Sequence, residues 1–131
     1  MNFFSNRILP FGFDKCNDVN LILPEIDILI TDYSSIYVDY LLLDRPCIFV
    51  PYDLENYKRK RGFLLDYDFW AAGAIVLTQK DLEGALTEIL SGKDTYIEKR
   101  QLLRDNFHNC QAENSSEKVV QLIGFLENNK H

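Results

Sequence analysis

The sequence predicts an α/β fold built on a small parallel sheet flanked by helices, and three observations carry that prediction. Residues 26–31, IDILIT, form a short continuous apolar run, which is how a strand buried on both faces reads. After Ser35, apolar residues fall at Ile36, Tyr37, Tyr40, Leu41 and Leu43, nearer a helical period than alternation. A second apolar run, CIFVPY at residues 47–52, then completes a strand–helix–strand unit, for which a right-handed parallel crossover is the default.

The other elements follow in order. Residues 1–17 show no period and read as an N-terminal arm, irregular or docked on the body. Residues 18–23 form a short helical turn stopped by Pro24. The first helix is capped by Ser34 and ends at Asp44-Arg45-Pro46. AIVLT, residues 74–78, supplies a third strand, and Thr78 caps a helix over residues 79–90 with Leu82, Ala85, Leu86, Ile89 and Leu90 on one face. Ser91-Gly92 ends that helix. Another helix spans residues 94–107, with Tyr96, Leu103 and Phe107 on one side. The last spans 115–127 and is expected to pack Val119, Val120, Ile123 and Phe125 or Leu126, leaving 128–131 as a frayed tail.

Composition narrows the function. The 131 residues suit one domain, here taken as 18–127, and an apolar fraction of 47% can fill a core. A net charge of -6 argues against general nucleic-acid binding, which needs a basic face for phosphates. The three cysteines, Cys16, Cys47 and Cys110, are far apart and show no metal-ligand spacing. No metal and no cofactor is therefore expected, and free thiols fit a reducing cytoplasm. The first residues lack the long apolar core of a secretion signal, and no apolar run approaches the ~18 residues of a membrane span.

The polar break TDYSS, residues 31–35, stands between the first strand and its helix. Ligands in open parallel sheets bind at the carboxyl ends of strands. The first amides of the following helix lack intrahelical partners and carry the positive end of its dipole, which suits phosphate. Small side chains let an anion approach, and Ser34 and Ser35 add hydroxyls. Read from the residues alone, a phosphate cradle and a simple helix cap, with Asp32 satisfying turn amides, stand level.

Residues 27–76 resemble the donor-binding half of the CDP-glycerol glycerophosphotransferases, the teichoic-acid primases and polymerases. The matching elements are T-D-Y-S-S, then D-x-x-L-L-D-R-P, Y-D-L-x-x-Y, K-R-G-F and D-Y-x-x-x-A-x-G. The likeness extends over roughly residues 18–125. It implies a Rossmann-like unit, the C-terminal half-domain of a GT-B fold. It also implies transfer of glycerol phosphate from CDP-glycerol, or from a related donor such as CDP-ribitol, to a teichoic-acid or capsule polymer at the inner membrane face. Thr31, Asp32, Ser34 and Ser35 would hold the diphosphate, with Arg61 and Gly62 of the KRKRG run nearby. That run also reads as a solvated surface turn, or as a weak signal for peripheral membrane contact.

Two further segments have less certain roles. DYDFW, residues 66–70, reads chiefly as loop packing. FHNCQAENSSEKVV, residues 107–120, resembles the family's closing motif: His108, Asn114, Ser116 and Lys118 match, whereas Ala112 and Glu113 replace an Asp-Gly pair. His108 is a candidate for donating to a phosphate or for proton transfer, and Ser115 and Ser116, at a helix N-terminus, for a second phosphate cradle. A lone histidine is more often structural. Against the family pattern the chain lacks the acceptor domain and the start of the donor domain, which are expected to be supplied in cis or in trans. The open sheet edge also suggests a homo-oligomer. The rival readings are a nucleotide-sugar glycosyltransferase fragment of GT-B type and a non-catalytic, degenerate module that self-associates.

Overall fold

A computed structural model describes residues 8–12, 14–60, 62, 66–109 and 114–128. Three parallel strands form one sheet: β1 (Leu29–Thr31), β2 (Cys47–Phe49) and β3 (Ala74–Ile75), in the order β1-β2-β3. The register pairs Leu29 with Cys47, Thr31 with Phe49, and Phe49 with Ile75. Among the described residues, six α-helices accompany the strands: α1 (Ile36–Tyr40), α2 (Leu54–Lys60), α3 (Tyr67–Trp70), α4 (Gln79–Leu90), α5 (Ile97–Phe107) and α6 (Ser115–Asn128).

The expected parallel α/β order is present, with shorter strands. The run at 26–31 contributes only Leu29–Thr31 to the sheet, and Ile26 instead closes the second of two 3-10 turns, its N donating to Leu23 O. Asp18 caps the first of these, Val19–Leu21, by accepting from Asn20 N, and Pro24 starts the second, Leu23–Glu25, rather than stopping it. β1 is also not buried on both faces: Ile30 is 47% exposed. β1 is an edge strand, and Ile30 shares its face with Ile48, which is central and fully buried.

The opposite face holds the core. Cys47 and Phe49 meet Tyr37, Tyr40 and Leu41 from α1 and its 3-10 extension, Tyr67, Ala71 and Ala72 around α3, and Leu103 of α5. Aromatic rings dominate it: Tyr37 packs edge-on against Phe49 and Trp70 at centroid distances of 4.8 and 4.7 Å. Edge-to-face contact of this kind adds to area burial, and each buried hydroxyl then needs a partner. Tyr37 Oη accepts from Ala72 N at 3.0 Å, and Tyr40 Oη donates to Ile26 O at 2.8 Å. The packing expected for DYDFW is present for Tyr67 and Trp70, whereas Phe69 is 51% exposed.

The helix ends follow their sequence signals. Thr78 Oγ1 accepts from Asp81 N, and α4 stops where Gly92 takes φ 84° with Gly92 N and Lys93 N bonded to Ile89 O and Glu88 O. α1 passes through the 3-10 turn Leu41–Leu43 and ends at Asp44, a left-handed residue with φ 50°. Asp44 is held there by Arg100 and Gln101 of α5, whose Nε and Nε2 donate to its two oxygens at 2.9 and 2.8 Å.

Two expectations about helices need correction. The run at 58–60 belongs to α2, not to a loop: it follows Asp53-Leu54-Glu55 without a breaker and Tyr57 N bonds back to Asp53 O. The burial expected for the apolar residues of α6 is not found either. Val119, Val120, Leu122, Ile123 and Phe125 are all more than half exposed. Helical periodicity gives α6 an apolar face but does not supply a surface for it to cover. In α4, Leu82, Ala85, Leu86 and Ile89 are half-buried while Leu90, at the last turn, is exposed.

Candidate functional site

The turn at residues 31–35 leaves the carboxyl end of β1 and enters α1. Val50 N donates to Thr31 O at 2.7 Å, so the strand ladder runs up to the start of the turn. Asp32 then folds the chain over: its Oδ1 accepts from Ser34 N at 2.9 Å, and its own carbonyl accepts from Tyr67 Oη at 3.0 Å. Tyr67 is buried, and burial, followed by the nearby carboxylates of Asp32 and Asp68, pushes its phenol well above the ordinary range, so it remains a donor. The turn is thus pinned from beneath by an aromatic of α3.

Ser34 and Ser35 stand exposed on this support. The helix cap falls on Ser35, not Ser34, and the Ser35 hydroxyl makes no capping bond. The backbone carbonyls of Ser34 and Ser35 accept from Tyr37 N and Val38 N, the first two bonds of α1. Two small hydroxyl side chains therefore face outward at the start of a helix. The expected role of Asp32 in satisfying a turn amide is realised, which places a carboxylate in the same turn.

A second group stands beside this turn that sequence reading did not single out. Tyr33 stacks on Tyr57 of α2, with centroids 3.9 Å apart and planes 29° from parallel, and its hydroxyl bonds the Asp53 carboxylate. Asp53 and Tyr57 are four residues apart, and this i, i+4 spacing inside Y-D-L-x-x-Y was the available signal. Tyr52, next to Asp53, is 80% exposed at the carboxyl end of β2. Gly62 takes φ 70° with open space where a side chain would stand, and Arg61 lies outside the described residues.

His108 is tied down. It caps the C-terminus of α5, and its Nε2 donates to Val38 O of α1 at 2.7 Å, which fixes the proton on Nε2. The ring thus reaches the helix that begins at Ser35, one turn in. Ser115 and Ser116 open α6 and are exposed, as are Asn114 and Lys118, and Ala112 and Glu113 lie outside the described residues. Among the described residues, no three His, Cys, Asp or Glu side chains are grouped to hold a metal, and no helix is long and apolar enough to cross a membrane. A shallow pocket between α4 and the sheet, lined by Pro46, Cys47, Ala74, Ala85 and Ile89, opens at the amino ends of β2 and β3. It lies at the opposite sheet edge from the 31–35 turn and is a packing gap beside a thiol that burial pushes up to about 12.

Parallel strands, a crossover helix and a polar turn at the carboxyl end of the first strand define a Rossmann-like α/β unit. The turn stands at the carboxyl end of a strand, where open parallel sheets bind their ligands. The chain belongs to the CDP-Glycerol:Poly(glycerophosphate) glycerophosphotransferase family, whose pattern it matches over residues 8–124. It is 37% identical over 112 residues to a teichoic acid glycerol-phosphate transferase of Staphylococcus aureus (strain NCTC 8325 / PS 47), an alignment covering 85% of this chain and 28% of that protein. It is also 37% identical over 78 residues to a teichoic acid poly(ribitol-phosphate) polymerase of Bacillus spizizenii (strain ATCC 23059 / NRRL B-14472 / W23), covering 60% of this chain and 13% of the relative. The solved wall teichoic acid polymerase TagF superposes with a TM-score of 0.71 at 33% identity, over 86% of this chain and 28% of that one. The GT-B half-domain assignment therefore holds, and the chain spans less than a third of the length of each of these relatives.

Proposed function

We propose that this chain forms the donor-binding part of a glycerophosphotransferase that moves glycerol phosphate from CDP-glycerol to a teichoic-acid or capsule polymer. The observation that carries the reading is the pair of exposed hydroxyls, Ser34 and Ser35, set on a braced turn between β1 and α1. Such a turn holds a diphosphate through hydroxyls and helix-start amides. In the transfer an acceptor hydroxyl attacks the phosphorus bearing glycerol, the bond to the bridging oxygen breaks and CMP leaves. The work is positioning and charge neutralisation rather than covalent catalysis. His108 is the candidate for receiving the acceptor proton, through the ring nitrogen not given to Val38. Arg61 and Gly62, with Ser115 and Ser116 at the start of α6, are further candidates for contacting the phosphates. The acceptor-binding half is supplied by further sequence in cis or by another chain, and peripheral membrane contact belongs to that larger assembly.

Calorimetric titration of the chain with CDP-glycerol, CDP-ribitol, CDP and UDP-glucose tests this, beside a Ser34→Ala/Ser35→Ala variant. Saturable binding of a CDP ligand, weakened about tenfold in the variant, is expected from the loss of two hydroxyls at ~0.5–1.5 kcal/mol each. Preference for UDP-glucose would instead favour a nucleotide-sugar glycosyltransferase. Silence toward every nucleotide would leave a capped helix and a non-catalytic module.

A further inference from the structure

The donor site as read above has an unbalanced charge. Asp32 stands within the turn, and Asp53 stands beside it at the end of β2, so a diphosphate arriving at Ser34 and Ser35 meets two carboxylates. The start of a short helix offers only about half a positive charge. Cations that can restore the balance are on α2, and Tyr33 connects α2 to the turn. Tyr33, immediately before Ser34, bonds Asp53 through its hydroxyl and stacks its ring on Tyr57. Asp53 and Tyr57 lie four residues apart and so share one face of α2. Lys60, three residues beyond Tyr57, continues that same face and is exposed. Arg59 is turned elsewhere, its Nη2 donating to Asn56 Oδ1 at 3.2 Å.

We propose that Tyr33 is a positioning residue that latches the cationic helix α2 onto the 31–35 turn, so that Lys60 neutralises the donor's diphosphate. The proposal rests on the donor-site reading above. The latch has two parts. The hydroxyl–carboxylate bond fixes the start of α2 and moves Asp53's negative charge into a partnered state. The ring stack sets the rotation of α2 and thereby selects which cation faces the turn. Tyr33 has no linker between itself and Ser34, so the orientation of α2 is passed to the hydroxyls without slack.

The test uses the 131-residue chain and its Tyr33→Phe, Tyr33→Ala, Lys60→Gln and Tyr33→Ala/Lys60→Gln variants. Each is titrated with CDP-glycerol and with cytidine, which carries no phosphate, at about 50 and about 300 mM salt. Tyr33→Ala should lower CDP-glycerol affinity about tenfold at low salt and flatten its salt dependence, with cytidine unaffected. Tyr33→Phe, which keeps the stack, should fall between. Lys60→Gln should flatten the salt dependence to the same degree, and the double variant should be no worse than Tyr33→Ala, because both substitutions remove one coupled effect. A Tyr33→Ala chain with the parent's far-UV circular dichroism and the parent's salt dependence would overturn the latch, as would losses that simply add in the double variant. Should Tyr33→Ala not fold, the comparison of Tyr33→Phe with Lys60→Gln decides on the same criteria. If the unaltered chain binds no CDP-glycerol, the donor-site reading falls and the latch falls with it. If binding disappears in Ser34→Ala/Ser35→Ala but is intact in Tyr33→Ala, only the latch is refuted.

Discussion

Replacing Arg100 with methionine should destabilise the fold more than any surface charge change. Arg100 is 2% exposed; its Nε lies 2.9 Å from Asp44 Oδ1 and its Nη1 lies 2.9 Å from Asp94 Oδ2. The second contact is close enough for an ion pair but lies off the direction of a hydrogen bond, so Nη1 has an ionic partner and no hydrogen-bonding one. Breaking a fully buried pair from one side costs ~3–5 kcal/mol, because the other charge is left uncompensated. Here the Asp44 and Asp94 side chains keep 29% and 16% exposure, and Asp44 retains Gln101 and, at 3.6 Å, Arg104. The expected loss is therefore about 2–3 kcal/mol, at or just below the lower limit of that range. Urea unfolding followed by circular dichroism should show a midpoint lower by about 1–2 M with an unchanged slope. A loss below about 0.5 kcal/mol would place the network in the class of exposed pairs and refute the argument.

The pH dependence gives a second reading of the same experiment. Burial tends to raise the Asp44 pKa, but hydrogen bonds from Gln101 and Arg100 and the charges of Arg100 and Arg104 outweigh it and hold the carboxyl below its usual value. In the unfolded chain the group titrates near ~3.9, so folding binds its proton less readily than unfolding does. Asp44 accordingly contributes stability above that value, and the contribution is lost as pH falls through the lower folded pKa. The Arg100→Met chain should lose less stability on acidification than the parent.

Three further outcomes are expected. Gly73→Ala should cost about 3 kcal/mol in urea unfolding, since the added Cβ would overlap the Cys47 carbonyl oxygen and stand 2.8 Å from its carbon, and strand backbone cannot rotate aside. Tyr37→Phe should cost about 1–2 kcal/mol by leaving the buried Ala72 amide without an acceptor, and a chain of unaltered midpoint would mean that this amide finds another partner. Burial pushes the Cys47 thiol up to about 12 from an ordinary 9.0, so it favours the fold below pH 9, and that contribution is lost as pH rises from 9 toward 12. Cys47→Ala should show a shallower alkaline loss, and Cys47 should resist thiol reagents at pH 8 until urea unfolds the chain.

The sequence by itself determined the strand–helix–strand order, the caps at Thr78 and Gly92, and the polar turn at residues 31–35. Each depends on neighbours within a few positions: an uninterrupted apolar run, a hydroxyl before a helix, a glycine free to take positive φ. The family pattern was legible for the same reason, as a string of fixed short spacings. Tertiary structure decided the rest. That Ile30 is exposed while Ile48 is buried follows from edge against central position in the sheet, not from residue type. The burial of Arg100 in an otherwise charged helix was hidden because its partner Asp44 is 56 residues away. α6 carries an apolar face that periodicity reports faithfully, but only the packed chain shows that Val119, Val120, Leu122 and Ile123 on it stay more than half exposed. The stack of Tyr33 on Tyr57 joins a strand end to a later helix across 24 positions, and no local pattern announces which tyrosine another will meet.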